Sequence, residues 1–308
     1  LTEKHPETGY IRSSAPAYIP QEGRIIGHEG VGHVIAVGSN APHIQVGHYV
    51  TFESIIICHA CDVCRRGRFN QCRHAKLLGL EKDGLFGTVV DVPAMLAHNV
   101  SDLATTDKGL QSAACLEPAG VAYVACQNAR IQGGDVVVIF GAGPIGLFTA
   151  LLSKTAFGAA EVHIVEPIEF RRQFAHKWSD QVYAVAEFFD NGPQYVDVVI
   201  EASGDLNNIN SIFRRVDANG RIVLLARSGV PLNLTTIDHM ITNEISLIGS
   251  RGHLCGAFVD ILRLYKKGRM PLDEIVTRIL HGPEELSDLL KSPATIIHEN
   301  CKILARLS

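Results

Sequence analysis

The chain has 308 residues, 46% hydrophobic and 19% charged, with 28 basic against 32 acidic side chains and a net charge of −4. That length is long for one core and suits two domains, and the composition excludes a disordered or fibrous chain. No basic tract stands out, which argues against a nucleic-acid partner; eight cysteines without a secreted disulfide framework fit a reducing, cytoplasmic setting.

Residues 1–22 contain Pro6, Pro16 and Pro20, show little periodicity and read as loop. The first residue is Leu1 and no signal-peptide pattern follows, so the chain is expected to begin inside a longer one. "GRIIGHEGVGHVIAVG" (Gly23–Gly38) then presents His28 and Glu29, two neighbouring metal donors without an obvious third. Gly30 to Thr51 reads as short strands with glycine turns, "VGHVIAVG" and "VGHYVTF", and Gly87–His98 again as strands, so the first part is mostly β. His33 lies in the strand after the motif and reads as structural.

Between these strands, Cys58, Cys61, Cys64 and Cys72 have the spacing C-x2-C-x2-C-x7-C. Four clustered thiolates suit a tetrahedral zinc with no open position, hence a structural site. An iron–sulfur cluster is the alternative that thiolates alone would allow. With four sulfurs present, His59 and His74 read as solvated loop residues.

Near Leu110 the pattern changes. "LQSAACLEPAGVAYVACQNA" has helical spacing. There follow "DVVVIF" (strand), "GPIGLFTALLSKTAF" (helix) and the strands "EVHIVE", "VDVVIEAS", "GRIVLLA" and "EISLIGS". These apolar runs are continuous, as in a parallel sheet buried on both faces, and their alternation with helices indicates a doubly wound α/β domain. Val136–Ser153 is uncharged, but "GAGPIG" interrupts it, so strand, turn and helix explain it better than a membrane span. Beyond Gly252, "AFVDILRLYKKG" reads as an amphipathic helix and the tail has room for a few short strands.

Gly141, Gly143 and Gly146 form G-x-G-x-x-G between a strand and a helix. Gly141 allows the tight turn, Gly143 lets a pyrophosphate approach the backbone, and Gly146 lets helix and strand pack closely. The helix N-terminus, with Pro144 and Ile145, would carry the phosphates. Glu166, 20 residues after Gly146, would accept the ribose hydroxyls and favour NAD over NADP; Arg171 and Arg172 soften that preference, since they could hold a phosphate.

A cysteine lobe, G-H-E-x-x-G and GAGPIG in this order resemble one family, the zinc-containing medium-chain alcohol dehydrogenases. "GHEGVGHVIAVG", "CHACDVCRRGRFNQC", "LEPAGVAYVAC", "GAGPIG" and "VDVVIEASG" match in type and order the branch of sorbitol, threonine and butanediol dehydrogenases. The resemblance implies a β-rich GroES-like catalytic domain (residues 1–118 and 252–308, with the zinc lobe at 58–72) and a Rossmann coenzyme domain (119–251). It implies a catalytic zinc held by His28, Glu29 and Glu117, the last binding it directly or through water. From the residues alone, Glu117 reads instead as a helix N-terminal acid beside Pro118. It also implies backbone contacts to the cofactor from Ala202–Gly204, Leu225, Ala226 and Arg227, and Ser250–Arg251.

The expected function is reversible, NAD- and zinc-dependent oxidation of a small secondary alcohol (a polyol, diol or amino-alcohol) by a cytoplasmic homodimer or homotetramer. The family's further ligand is a cysteine upstream of G-H-E, and no cysteine precedes Cys58. It is expected just before Leu1, the alternative being a protein that lacks it. No relay base is assigned. Two competing readings are a zinc-independent quinone-reductase-like enzyme, against which the cysteine lobe argues, and a non-catalytic nucleotide-binding protein with a decayed metal site.

Overall fold

The computed structural model describes residues 23–227, 231–234, 237–291, 296 and 298–307. The loop expected over residues 1–22 lies outside the described residues. The catalytic part opens with strands β1 (Val31–His33), β2 (Tyr49–Phe52) and β3 (Ile55–Ile56), the short helix α1 (Asp62–Arg65) in the cysteine lobe, then β4 (Lys76–Leu77) and β5 (Ala97–Asn99). β1, β2 and β5 make one antiparallel sheet and β3–β4 a second. The strands are shorter than the sequence patterns suggest. "VGHVIAVG" is a strand only at Val31–His33, and Gly87–His98 is mostly irregular, with a 3-10 turn at Ala94–Leu96 before β5. Alternating apolar residues need a partner strand to become one; Ile35 and Val89, at 63% and 70% exposure, have found no buried face.

The predicted helix over Leu110–Ala129 is two helices, α2 (Asp107–Ala114) and α3 (Leu116–Ala129), which meet at Cys115. Pro118 accounts for the break. It has no N–H for the Ala114 carbonyl and its ring crowds that oxygen, but it is tolerated in a first turn. α3 thus starts just before Glu117 and runs unbroken through residues 118 and 119, ending at Arg130 in the left-handed conformation.

The coenzyme part adds β6 (Val136–Phe140), α4 (Pro144–Thr155), β7 (Glu161–Val165), α5 (Glu169–Ala175), β8 (Gln181–Tyr183) and α6 (Val185–Asn191). It continues through β9 (Val196–Glu201), α7 (Asn207–Ile212), β10 (Val216–Leu224), α8 (Ile237–Thr242) and β11 (Ser246–Gly249). The sheet is parallel throughout, in the order β11-β10-β9-β6-β7-β8. Consecutive side chains on β6 serve opposite faces: Val137 and Ile139 pack with Phe148 and Leu152, Val138 and Phe140 with Phe188, Ile209 and Phe213. This two-sided burial is why the strand sequences do not alternate.

The chain then returns to the catalytic part through α9 (Ala257–Lys266), β12 (Val276–His281), α10 (Gly282–Lys291) and β13 (Lys302–Arg306). β12 and β13 pair in parallel. Among the described residues no helix is long and apolar enough to cross a membrane.

One buried ion pair ties the sheet to α3. The Arg221 guanidinium meets Asp135, and its Nε donates to the Ala129 carbonyl at 2.9 Å. Asp135 also accepts the Gln132 N–H at 3.0 Å. Removing one partner leaves the other charge buried, so Asp135→Ala is expected to lower stability by about 3–5 kcal/mol, measured by urea denaturation.

Candidate metal centre and nucleotide cleft

The His28–Glu29 loop is held from two sides. Gly27 has φ +90°, and a Cβ there would lie 2.4 Å from the Phe86 ring. The N–H groups of Gly84, Leu85 and Phe86 donate to the carbonyls of Ile25, Gly27 and Ile26 at 2.7, 2.9 and 3.0 Å. On the other side the Thr51 hydroxyl lies within donating distance of both the Gly30 and Ala113 carbonyls, at 3.0 and 2.9 Å, and its one proton serves one of them at a time. Glu117, placed by the restart of α3, completes a cluster in which one donor atom each from His28, Glu29 and Glu117 lies within 4.8 Å of the others. The His28 Nε2–Glu117 Oε1 distance is 3.9 Å.

The electrostatics follow from burial. Glu117 is 6% exposed. Burial, then the Glu29 charge, push its carboxyl up to about 8, against the Ser54 hydroxyl, which donates to Oε1 at 3.0 Å. Burial is the largest single influence on Glu29 and raises it, but the charge and hydrogen bond of Lys302 together with the neighbouring imidazoles outweigh it, and the net shift is downward. Lys302 reaches Glu29 from β13. His28 is lowered by burial. His253, fully buried, stands 3.4 Å from Glu117 Oε1 and is pushed down to about 3, chiefly by burial. Two carboxylates and an imidazole converging in a poorly solvated place fit a divalent cation: the donor types suit zinc, and a metal would offset the carboxylate repulsion that Lys302 offsets only in part.

The four cysteines also come together as expected. All eight cysteines of the chain are free thiols. Sγ atoms of Cys58, Cys61, Cys64 and Cys72 all lie within 4.8 Å of one another, and Cys58 and Cys72 are 3.5 Å apart. Zinc–sulfur bonds of about 2.3 Å in a tetrahedron imply sulfur edges of roughly 3.8 Å, so the cluster has the size of a zinc site. Backbone N–H groups already point at sulfur, Cys61 to Cys58 at 3.3 Å and Cys58 to Cys72 at 3.4 Å. Such donors hold the Cys58 thiol below the usual range and bring Cys61 to about 6. His59 and His74 are exposed, and so is His33, whose ring lies against Tyr49.

At the coenzyme sheet, the predicted nucleotide residues follow the carboxyl ends of strands, the usual ligand crevice of such sheets. Gly141 follows β6 with φ +102°, and a Cβ there would lie 3.1 Å from Ala202 and Ser203. A Cβ on Gly146 would come 1.9 Å from the Gly141 carbonyl oxygen, whereas one on Gly143 would meet nothing within 4 Å. The backbone is therefore open at Gly143 and closed at Gly146, the cradle an approaching pyrophosphate needs; Pro144 and Ile145 start α4 there. Glu166 directly follows β7, is 3% exposed, and accepts the N–H groups of Ala142 (2.7 Å) and Ile168 (2.9 Å), so it also clasps the glycine turn. Arg171 Nε donates to the Asn300 carbonyl at 3.3 Å. Ala202 follows β9; Leu225 and Ala226 follow β10 and donate to the Glu201 carbonyl; Ser250 and the exposed Arg251 follow β11.

Three residues of the metal centre were not anticipated from the sequence: Ser54, His253 and Lys302. Ser54 and Lys302 carry no motif. "RGH" at Arg251–His253 was the one available signal, a histidine four residues beyond the last strand of the nucleotide sheet.

Residues 5–102 match the family model of the alcohol dehydrogenase GroES-like domain, and residues 144–267 that of zinc-binding dehydrogenase. The chain is 33% identical over 291 residues to L-threonine 3-dehydrogenase of Pyrococcus horikoshii, spanning 88% of this chain and 80% of that one. It is 31% identical over 277 residues to L-arabinitol 4-dehydrogenase of Aspergillus oryzae, spanning 82% and 70%. The solved structure of 2R,3R-butanediol dehydrogenase from Bacillus subtilis superposes with a TM-score of 0.81 at 25% identity, over 96% and 87% of the two chains.

Cys64→Ser removes one of four thiolates and leaves His28, Glu29 and Glu117 untouched. Plasma mass spectrometry is expected to show zinc falling from two equivalents per chain to one, with a lowered Tm. Unchanged stoichiometry would exclude the cysteine site.

Proposed function

The chain belongs to the zinc-containing medium-chain alcohol dehydrogenase family, and on that premise we propose that it oxidises a small polyol, diol or amino-alcohol to a ketone, reversibly, with NAD. The observation that carries this reading is the convergence of His28, Glu29 and Glu117 beside the nucleotide cleft. The two regions are adjacent through one segment: Arg171, on the nucleotide side, contacts Asn300, and two residues later Lys302 pairs with Glu29.

His28, Glu29 and Glu117 hold the catalytic metal, and Cys58, Cys61, Cys64 and Cys72 hold a structural one. Bound zinc supplies a Lewis acid that lowers the pKa of an alcohol oxygen, and bound NAD supplies the hydride acceptor. The residues of the chain do the rest. Lys302 neutralises Glu29, so that two carboxylates can share the site. Ser54 holds Glu117 through one oxygen. The open backbone at Gly143 and the N-terminus of α4 receive the pyrophosphate, and the backbone around Ala202, Leu225, Ala226, Ser250 and Arg251 lines the remainder of the cleft. Substrate and nucleotide are thereby held in contact, which is where much of the rate comes from.

Glu166 supports NAD over NADP, because a 2′-phosphate would meet its charge. Arg172 is already engaged with the carbonyls of Glu166 and Pro167 and with the Glu169 carboxylate, which supports the same preference. We place the domain division at 118/119 and 251/252. The edge strand β11, with exposed Leu247 and nearby exposed Ile237 and Ile241, supports a homodimer or homotetramer built by edge pairing. Free thiols throughout support a cytoplasmic setting.

The purified, zinc-loaded protein is to be assayed with NAD and with NADP against L-threonine, L-arabinitol, sorbitol and 2,3-butanediol. Turnover of at least one alcohol is expected, with a higher kcat/KM for NAD. Glu117→Ala is expected to lower kcat/KM on the order of a hundredfold, about 2.7 kcal/mol of transition-state stabilisation. No turnover of any secondary alcohol would refute the reading; a preference for NADP would refute only the role of Glu166.

A further inference from the structure

The segment Gly252–Gly256 links the coenzyme sheet to α9 and touches two distant parts of the catalytic domain. The Leu254 N–H donates to Asn70 Oδ1 at 2.9 Å. Asn70 lies in the cysteine lobe between Cys64 and Cys72 and is buried. Gly252 has φ +76°, and a Cβ there would lie 2.4 Å from Asn70 Oδ1, so a side chain at 252 would displace that amide. Between these two contacts stands His253, with no exposed surface.

The imidazole is placed with care on every side. Its Nε2 accepts the Ser54 backbone N–H at 2.9 Å and lies 3.1 Å from the Ser54 hydroxyl. The same hydroxyl donates to Glu117 Oε1. Gly120, on α3 one turn after Glu117, makes the room: a Cβ there would come 2.7 Å from the His253 Cβ. The Phe258 ring closes the far side edge-on, at 5.4 Å and 84°. Nδ1 is buried and finds no partner among the described residues. A buried donor left unsatisfied is costly, and a residue that only filled the core would need neither that atom nor an acceptor at Nε2.

We propose that His253 and Ser54 act as a positioning pair that turns the Glu117 carboxylate toward His28 and Glu29, and that Asn70 anchors this pair to the cysteine lobe. His253 is not one of the three clustered donors. It acts through Ser54 and Glu117, and the Asn70–Leu254 hydrogen bond connects the structural metal lobe to the shape of the catalytic metal site. The inference rests on the dehydrogenase reading, because it takes Glu117 as part of a metal centre. Groups that orient metal ligands typically change metal affinity ten- to a hundredfold when removed.

The test uses the full chain loaded with cobalt, without turnover. Metal per chain is counted by native mass spectrometry, and the affinity of each site is measured by chelator competition while the d–d absorption is followed. His253→Leu and Asn70→Leu are expected to weaken the His28–Glu29–Glu117 site about ten- to a hundredfold and alter its d–d bands. The four-cysteine site keeps its affinity and serves as the control for folding. His253→Gln, whose amide oxygen can take the Ser54 N–H, and Asn70→Asp, which keeps the acceptor for Leu254, recover most of the loss. Wild-type affinity and spectrum in His253→Leu would overturn the role of His253; the same result in Asn70→Leu alone would overturn the anchor. A wild-type chain that takes up cobalt only at the cysteines would overturn the metal-centre reading itself, and the inference with it.

Discussion

Two carboxylates, Glu117 buried and Glu29 half-buried, share one corner of this protein, and the rest of the site is arranged around their repulsion. Glu29 and Glu117 offer oxygens within 4.8 Å of each other and of the His28 imidazole. At an effective dielectric near 20, two charges at that separation repel by about 3–4 kcal/mol. The chain meets this with a cation from the opposite end of the sequence, Lys302, and a hydroxyl, Ser54. What remains uncompensated is negative charge that a divalent ion would neutralise. Placement of the helix start at Leu116, of the left-handed turn at Gly27 and of β13 beside the loop all serve this one convergence.

The coenzyme domain was the more legible half, because its chemistry is local. The three glycines fall within six residues, and each mechanical role assigned to them has a counterpart in a positive φ, an open approach or a close packing contact. Continuous apolar runs predicted a sheet buried on both faces, and the two core clusters on either side of β6 are that sheet's two faces. β8 and the helices α5 to α8 were not read from the sequence, since each spans seven residues or fewer and has too short a period to stand out.

The metal centre was legible only in part. His28 and Glu29 stood out as neighbouring donors, Glu117 was assigned only through the family resemblance, and the cysteine cluster stood out by its spacing; the structure brings each set together. Lys302 and Ser54 lie in stretches whose own pattern says only strand or strand end, and their partners are 273 and 63 positions away. No local rule announces a contact of that span. The same reason explains the overcalled strands at residues 34–38 and 87–92: alternation is a local property, whereas pairing depends on what lies alongside.

The separation of Glu29 from its cation has a consequence for the order in which the molecule is made. Both carboxylates, the cysteine lobe and the whole nucleotide sheet leave the ribosome before β13 does. Until Lys302 arrives, Glu29 lacks the cation that pairs with it beside Glu117. The coenzyme domain can fold on schedule, as an uninterrupted stretch of chain. The β-rich part, with segments on both sides of that stretch, gains this ion pair only when β13 emerges. β13 acts as a latch, so a chain ended before it would hold the coenzyme sheet beside an acidic corner without its Lys302 cation.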